Sequence, residues 1–338
     1  MSCEEFRSIL PEILEDLKNI IEGYGQPETF LWIKKAIEYN IQNANMKIAQ
    51  LCIRTYKELI KSLNLKYSNI KYAYILAWCA EIFNVAILIS DDVLDKGNMR
   101  RGLTSWPRLE NVGILAITDA FILEQIVYAL LKKHFSHLEC YTNLIELFRE
   151  VSLRSACGKH LEFMYTRKSV EEFKRETYNM MAVNKGSYYN FYLPFTLSMN
   201  LACFTDPQIL TQCLDIFYQI GLYFQIQNDF LDCFGTIENC GKIGTDIEDK
   251  KFSWLAVTCM ELANEEQKQI MLECYGSKDP LKVQKVKDLY KALDLPSIYT
   301  AYEKESYEKT KTLIKQLSNG VPQDIFFDIL NKIYRGVF

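Results

Sequence analysis

Two acidic clusters stand out in the chain: Asp91-Asp92-Val93-Leu94-Asp95 and Asn228-Asp229-Phe230-Leu231-Asp232. Each ends a long, mostly apolar run of helical character. Residues three or four apart share a helix face, with Cβ atoms about 5–6 Å from each other. Asp91 therefore pairs with Asp95, and Asp229 with Asp232. Hard oxygen ligands grouped in this way suit Mg²⁺, which takes one or two carboxylates and fills its other positions with water and substrate phosphate. The metal-ligand candidates are Asp91, Asp92, Asp95, Asn228, Asp229 and Asp232. One such cluster alone is more often a solvated helix end. Two of them on helices too apolar to face water are different, because close carboxylates cannot all stay ionised without cations. Arg100 and Arg101 follow the first cluster. Alone they would pass for surface charge; beside it they are bidentate clamps for phosphate. The combination points to a diphosphate held through Mg²⁺.

The elements that must carry these residues read as helices. Phe6, Ile9, Leu10, Ile13, Leu14, Leu17, Ile20 and Ile21 repeat with helical period, predicting an amphipathic helix over about 4–22. Further helices are predicted from about Phe30 to Leu63 and from Tyr72 into the first cluster, with Lys96-Gly97-Asn98 as its stop. Others span Ile114–Phe135, Tyr141 to about Thr166, Val170–Cys203 with a kink at Pro194, and Pro207–Phe234, which carries the second cluster. Shorter amphipathic helices follow from about residue 252. The run Tyr72–Ile89 approaches membrane-spanning length, but Glu81, Asn84 and the adjoining acids favour a core helix, so no stable membrane insertion is expected. The expectation is one all-α domain over 1–338.

Composition limits the alternatives. The 338 residues are 49% apolar, enough for a continuous core, and only 14 Gly and 8 Pro interrupt them. A net charge of −4 excludes a nucleic-acid surface, which needs a basic face. The 11 Cys include no C-x-x-C pair, and the start has no apolar signal segment. Reduced thiols and a cytoplasmic location are the expectation.

With these residues in view, the chain resembles the trans-isoprenyl diphosphate synthases, most closely the farnesyl diphosphate synthase branch. The resemblance runs over nearly the whole length. It rests on Asp91-Asp92-Val93-Leu94-Asp95 with Met99-Arg100-Arg101-Gly102, and on Lys185 with Tyr189-Asn190-Phe191-Tyr192-Leu193-Pro194. It continues through Tyr223-Phe224-Gln225-Ile226-Gln227-Asn228-Asp229 and the stretch from Gly241-Lys242 to Lys251-Phe252-Ser253-Trp254. The resemblance implies an isoprenoid synthase helical bundle around a central prenyl cavity, a homodimer and three Mg²⁺ per active site. It implies that Asp91, Asp95, Arg100, Lys185 and Lys242 are catalytic. Arg100, Arg101, Lys185, Gln225, Lys242, Lys251 and Asn84 would meet substrate, with Phe83, Ile87, Tyr189 and Phe224 as candidate walls. Taken singly, Lys185 reads as a snorkelling lysine and the aromatics as core packing. Ala86 and Ile87 would floor the cavity and admit a fifteen-carbon chain.

The departures from the family pattern set the expected activity. After Tyr39-Asn40, a Gly-Gly-Lys-x-Asn-Arg segment that grips isopentenyl diphosphate is replaced by Asn43-Ala44-Asn45-Met46-Lys47-Ile48. Asn45 stands for its Lys and Ile48 for its Arg; Lys47 is turned by about 100° from that position. Each lost charged hydrogen bond is worth roughly 1.5–3 kcal/mol. Asn84 also replaces a Gln or His, and Asn228 an Asp. This pattern resembles insect terpene synthases and leads to an expected sesquiterpene synthase, a lyase that ionises and cyclises farnesyl diphosphate. The alternatives are a farnesyl or geranyl diphosphate synthase condensing isopentenyl diphosphate with an allylic partner, and a catalytically silent regulatory paralogue.

Overall fold

The structure is a computed structural model that describes residues 3–64, 69–235, 244–318 and 320–336. It is 77% helical and bears out the expected all-α class. The helices are α1 (Cys3–Arg7), α2 (Leu10–Glu22), α3 (Pro27–Ile41), α4 (Lys47–Ser62), α5 (Ile70–Leu94), α6 (Leu115–Phe135) and α7 (Tyr141–Tyr165). Then come α8 (Arg175–Ala182), a π-helical segment (Val183–Tyr192), α9 (Leu193–Leu201), α10 (Pro207–Phe234) and α11 (Trp254–Leu262). The chain closes with α12 (Glu265–Cys274), α13 (Pro280–Ala292), α14 (Leu295–Lys315) and α15 (Gln323–Tyr334).

The chain forms two compact units. The first comprises Met1–Val151, Phe191–Leu210 and Gly320–Pro322; the second comprises Ser152–Asn190, Thr211–Asn319 and Gln323–Phe338. In the first, α5 is the core element. Every residue from Ala73 to Ala86 is buried, because the run is apolar on all faces and α3, α4, α6 and α9 pack around it. It is the one described helix long and apolar enough to cross a membrane, and 83% of its most apolar window is buried inside the protein. In the second unit, α8 packs on α11, α12 on α13, and α14 on α15.

Three predicted helices are broken where the periodicity ran on. The 4–22 helix stops at Arg7 and restarts at Leu10, since Pro11 lacks the N–H that would bond back to Arg7. The 30–63 run divides around Met46, which is left-handed at φ 51°. No Gly or Pro announces that break. The new N-terminus of α4 is instead capped from a distance: the buried Glu81 of α5 accepts the Ala49 N–H at 2.9 Å. The 170–203 run becomes a 3₁₀ turn (Val170–Glu172), α8, the π-helical segment and α9. Pro194 enters as the second residue of α9, so the kink expected near Leu193 is realised as a change of helix type.

Candidate active site

In the first unit, α5 ends at Leu94 with Asp95 as its C-cap. Lys96 then turns left-handed (φ 52°) and the Gly97 N–H returns to the Asp92 carbonyl at 3.0 Å. A two-stranded hairpin follows, pairing Met99 with Thr104 and Arg100 with Leu103. Its two-residue loop, Arg101-Gly102, has φ of 54° and 77°, the primed turn that matches strand twist. A left-handed Arg costs roughly 1–2 kcal/mol, and tertiary bonds hold it there. The Arg101 guanidinium donates to the Asn40 carbonyl at 2.7 Å, and the Asn43 amide donates to the Arg101 carbonyl at 3.2 Å. Behind the hairpin, Trp32 and Trp106 both donate to the buried Asp119.

This wiring separates the roles of the first acidic cluster. Asp92 is 2% exposed and grips the Arg100 guanidinium, with the closest approach at 2.5 Å. Burial pushes the Asp92 carboxyl up and Arg100 opposes that. In this structure Asp92 anchors Arg100. Asp91 is half-buried and Asp95 exposed, one turn apart at the C-terminal end of α5. There the helix dipole attracts cations. Among the described residues no group of three or more His, Cys, Asp or Glu is gathered into a metal cage. Two hard, accessible carboxylates at a helix C-terminus nevertheless fit Mg²⁺, which needs few protein ligands when it arrives with phosphate.

Arg100 and Arg101 line one small pocket of about 10 Å³ with Tyr39, Asn40, Asn43, Leu103, Thr104 and Trp106. Nearby electrostatics involve Glu81, whose carboxyl is raised by burial although the Ala49 N–H, Arg101 and Asn84 all favour its ionised form. Asn84 is 6% exposed and reaches Glu81 at 3.5 Å. Ile48 is buried, Asn45 exposed, and Lys47 opens α4 half-buried. Phe83, a candidate wall, is 2% exposed and stacks edge-on against Phe148 at 5.6 Å. Ala86 is buried and Ile87 half-buried.

In the second unit, Asp229 is buried and both its oxygens are taken up. Oδ2 accepts from the Tyr178 hydroxyl and the Trp254 N–H, each at 2.7 Å, and Oδ1 accepts from Gln225 at 2.8 Å. Burial pushes Asp229 up to about 6 against those donors and Lys185. Asp232 accepts the Asp246 N–H at 2.9 Å, and Asn228 is exposed. Asp229 and Asp232 both lie on α10, three residues apart, and Gln225 is found on Asp229. Tyr189 and Phe224 are half-buried. Lys242 lies outside the described residues.

Lys185 and Lys251 do come together, on a residue that sequence reasoning passed over. Glu162 of α7 is 4% exposed and takes Lys185 at 2.7 Å, Lys159 at 3.0 Å and Lys251 at 3.7 Å. Burial alone would raise this carboxyl; the three ammonium groups outweigh it and hold Glu162 well below the usual carboxylate range. Lys159 at 7% exposure is not a snorkelling side chain. A charged pair three residues apart in Lys159-His160-Leu161-Glu162 was the only available signal, and it looks like any solvated helix pair. A second pocket in this unit, about 360 Å³, is lined by Arg175, Asn179, Trp254 and Tyr302 among others and includes none of the expected site residues.

A family profile for polyprenyl synthetase matches residues 31–293. The chain belongs to the polyprenyl synthetase family. Over 98% of its length it is 37% identical to the farnesyl pyrophosphate synthase of Kluyveromyces lactis, covering 97% of that protein. It is 34% identical to that of Gallus gallus, covering 98% of this chain and 92% of the relative. Its fold superposes on Trypanosoma brucei farnesyl diphosphate synthase bound to a bisphosphonate with a TM-score of 0.90, at 25% identity over 99% of each chain. These relatives overturn the expected terpene-cyclising lyase, and they do not bear out the narrower likeness to insect terpene synthases. They favour the transferase alternative. Arg101 is the cation that the structure does hold beside this segment, through the Asn40 carbonyl, and neutral residues at 45 and 48 do not by themselves remove a second-substrate site.

Proposed function

We propose that the protein is a Mg²⁺-dependent prenyl transferase that condenses isopentenyl diphosphate with an allylic diphosphate to give farnesyl diphosphate. One observation carries this reading: the likeness to farnesyl pyrophosphate synthases runs over 98% of the chain. Cationic side chains stand in both units, Arg100 and Arg101 in the first and Lys185 and Lys251 in the second, and a condensation handles two diphosphates where a cyclase handles one. The full-length likeness to farnesyl pyrophosphate synthases supports the same substrates.

In this reading the allylic C–O bond breaks with its electron pair leaving on diphosphate. The double bond of isopentenyl diphosphate then forms the new C–C bond, and a proton is lost. Mg²⁺ held by Asp91 and Asp95 would supply Lewis acidity toward the leaving oxygens. Lys185 and Lys251 stabilise the developing anion from preorganised positions, where such groups are most effective. Arg101, locked by Asn40 and Asn43, offers the second diphosphate a fixed guanidinium. The active form is a homodimer. Ile114, Ile117 and Phe121 lie on one face at the start of α6 and are 81%, 52% and 63% exposed, an apolar stripe that a second copy would cover.

The test is incubation of purified protein with Mg²⁺, isopentenyl diphosphate and dimethylallyl or geranyl diphosphate, reading diphosphate release and product chain length. Farnesyl diphosphate is the expected product, with turnover falling about 100-fold or more in Asp91→Ala. No consumption of isopentenyl diphosphate by the unaltered protein would overturn the proposal.

A further inference from the structure

The cavity of about 360 Å³ in the second unit has no part in the chemistry described so far. It opens between α8, α10, α11 and α14, and its size is that of a pocket for a small molecule. Its walls are mostly hydrocarbon and ring: Leu222, Ile226, Ile298, Trp254 and Tyr302, with Leu262, 51% exposed, toward solvent. Charge is cancelled within it. Arg175 meets the Glu261 carboxylate through two nitrogens, at 2.5 and 3.2 Å, donates to the Thr258 hydroxyl at 2.7 Å, and lies 5.6 Å from the centre of the Trp254 ring. Tyr302 is the other titratable lining residue, and burial pushes its hydroxyl up to about 12, so it stays neutral. One polar atom is unmatched. The side-chain carbonyl oxygen of Asn179, on α8, is buried and has no hydrogen-bond partner among the described residues. Buried acceptors of this kind are few in native proteins, and a donor normally answers them.

We infer that this cavity is a binding site for a compact, uncharged alcohol: a branched or cyclic hydrocarbon body whose hydroxyl donates to the Asn179 side-chain carbonyl. Each part of that description answers to a wall. The aliphatic and aromatic side chains favour hydrocarbon, which they take out of water. A net charge on the ligand is disfavoured, because an anion would compete with Glu261 for Arg175 and a cation with Arg175 for Glu261, and a two-pronged pair of this kind is among the stronger polar contacts. The Asn179 oxygen accepts and cannot donate, so the polar group that matches it is a donor. The same cancellation of charge turns away a diphosphate. The site is therefore separate from the substrates of the condensation, and the inference does not rest on that reading.

The experiment is calorimetric titration of the full-length protein with menthol, a compact alcohol of this class, and with menthyl methyl ether, which keeps the body and lacks the donor. Thermal melting is run on every variant. Menthol is expected to bind saturably, one molecule per chain, and about tenfold more tightly than the ether, the value of one hydrogen bond between neutral groups. Asn179→Ala should erase that preference and leave the two ligands within about twofold of each other. Leu262→Trp puts a larger side chain into the cavity from its exposed edge and should abolish binding of both. Menthol that does not saturate, an ether that binds the unaltered protein as well as the alcohol does, or a titration unchanged in Leu262→Trp overturns the inference. The comparison of alcohol with ether uses the unaltered protein, so it decides the matter even where a variant fails to fold. Because neither probe carries phosphate, the result stands apart from condensation. A protein that binds menthol here but never consumes isopentenyl diphosphate would defeat the proposed function and leave this inference intact.

Discussion

Glu162 shows how one side chain can set the charge of a site and also the acid stability of the fold. Its carboxyl lies well below the ordinary value of 4.5 because three lysines overcome the penalty of burial. A folded-state pKa below the unfolded one means that the stabilisation is fully present above about pH 5 and is lost as pH falls through the folded value. Removing one partner of a buried ion cluster costs about 3–5 kcal/mol, so Glu162→Gln should lose about 3 kcal/mol at pH 7. That difference should shrink as pH falls below about 4.5, where the carboxyl of the unfolded chain takes up its proton while the folded one is still ionised. Chemical denaturation of both proteins across that range checks it, and a difference that stays constant down to about pH 3 would count against the lysine cluster. Asp91 and Asp95 were legible in the sequence because their i, i+4 spacing is a property of one helix. Asp92 was legible as an acid but not as the anchor of Arg100, since that depends on where the hairpin returns.

At the level of elements, the π-helical segment is the piece that the others are shaped around. Its neighbours leave no room for a side chain at Gly158, and the atoms met there are backbone, which cannot swing aside. Gly158→Ala should therefore destabilise the protein by about 3 kcal/mol, at the upper end for overpacking, and should impair diphosphate binding by displacing Lys185. Urea unfolding and diphosphate titration measure the two effects, and a loss below about 1 kcal/mol would mean that α7 can step away without penalty. The sequence pattern ran a single helix across 170–203 because a π-helical turn keeps nearly the same apolar periodicity. Its extra residue per turn becomes visible only when the glycines of α7 and α10 are seen pressing on it. The break at Met46 was equally silent, because the cap that licenses it, Glu81, comes from 32 residues away.

For the whole molecule, the exposed stripe at the start of α6 predicts assembly. Phe121 is 63% exposed, and burying a side chain of that size contributes about 1.5–3 kcal/mol. Two copies related by a two-fold axis would each bury one, so Phe121→Asp should shift the protein toward monomer. Sedimentation velocity at micromolar concentration decides it; a wild-type protein that sediments as a monomer would remove the dimer from the proposed function.

Local physics was sufficient for much of this protein. Helical periodicity, the all-apolar α5 and the acids spaced at its end follow from interactions within a few turns of chain, so the all-α fold and the Asp91–Asp95 pair could be read from residue order. The tertiary structure decided which charges meet. Lys185 and Lys251 reach Glu162 across 23 and 89 positions of sequence, and Arg101 meets the Asn40 carbonyl across 61. The strength of an anion site is a sum over charges brought together in space. Two neutral residues at positions 45 and 48 therefore could not settle how many diphosphates the protein binds, and the sum depends on contacts that no local window of sequence contains.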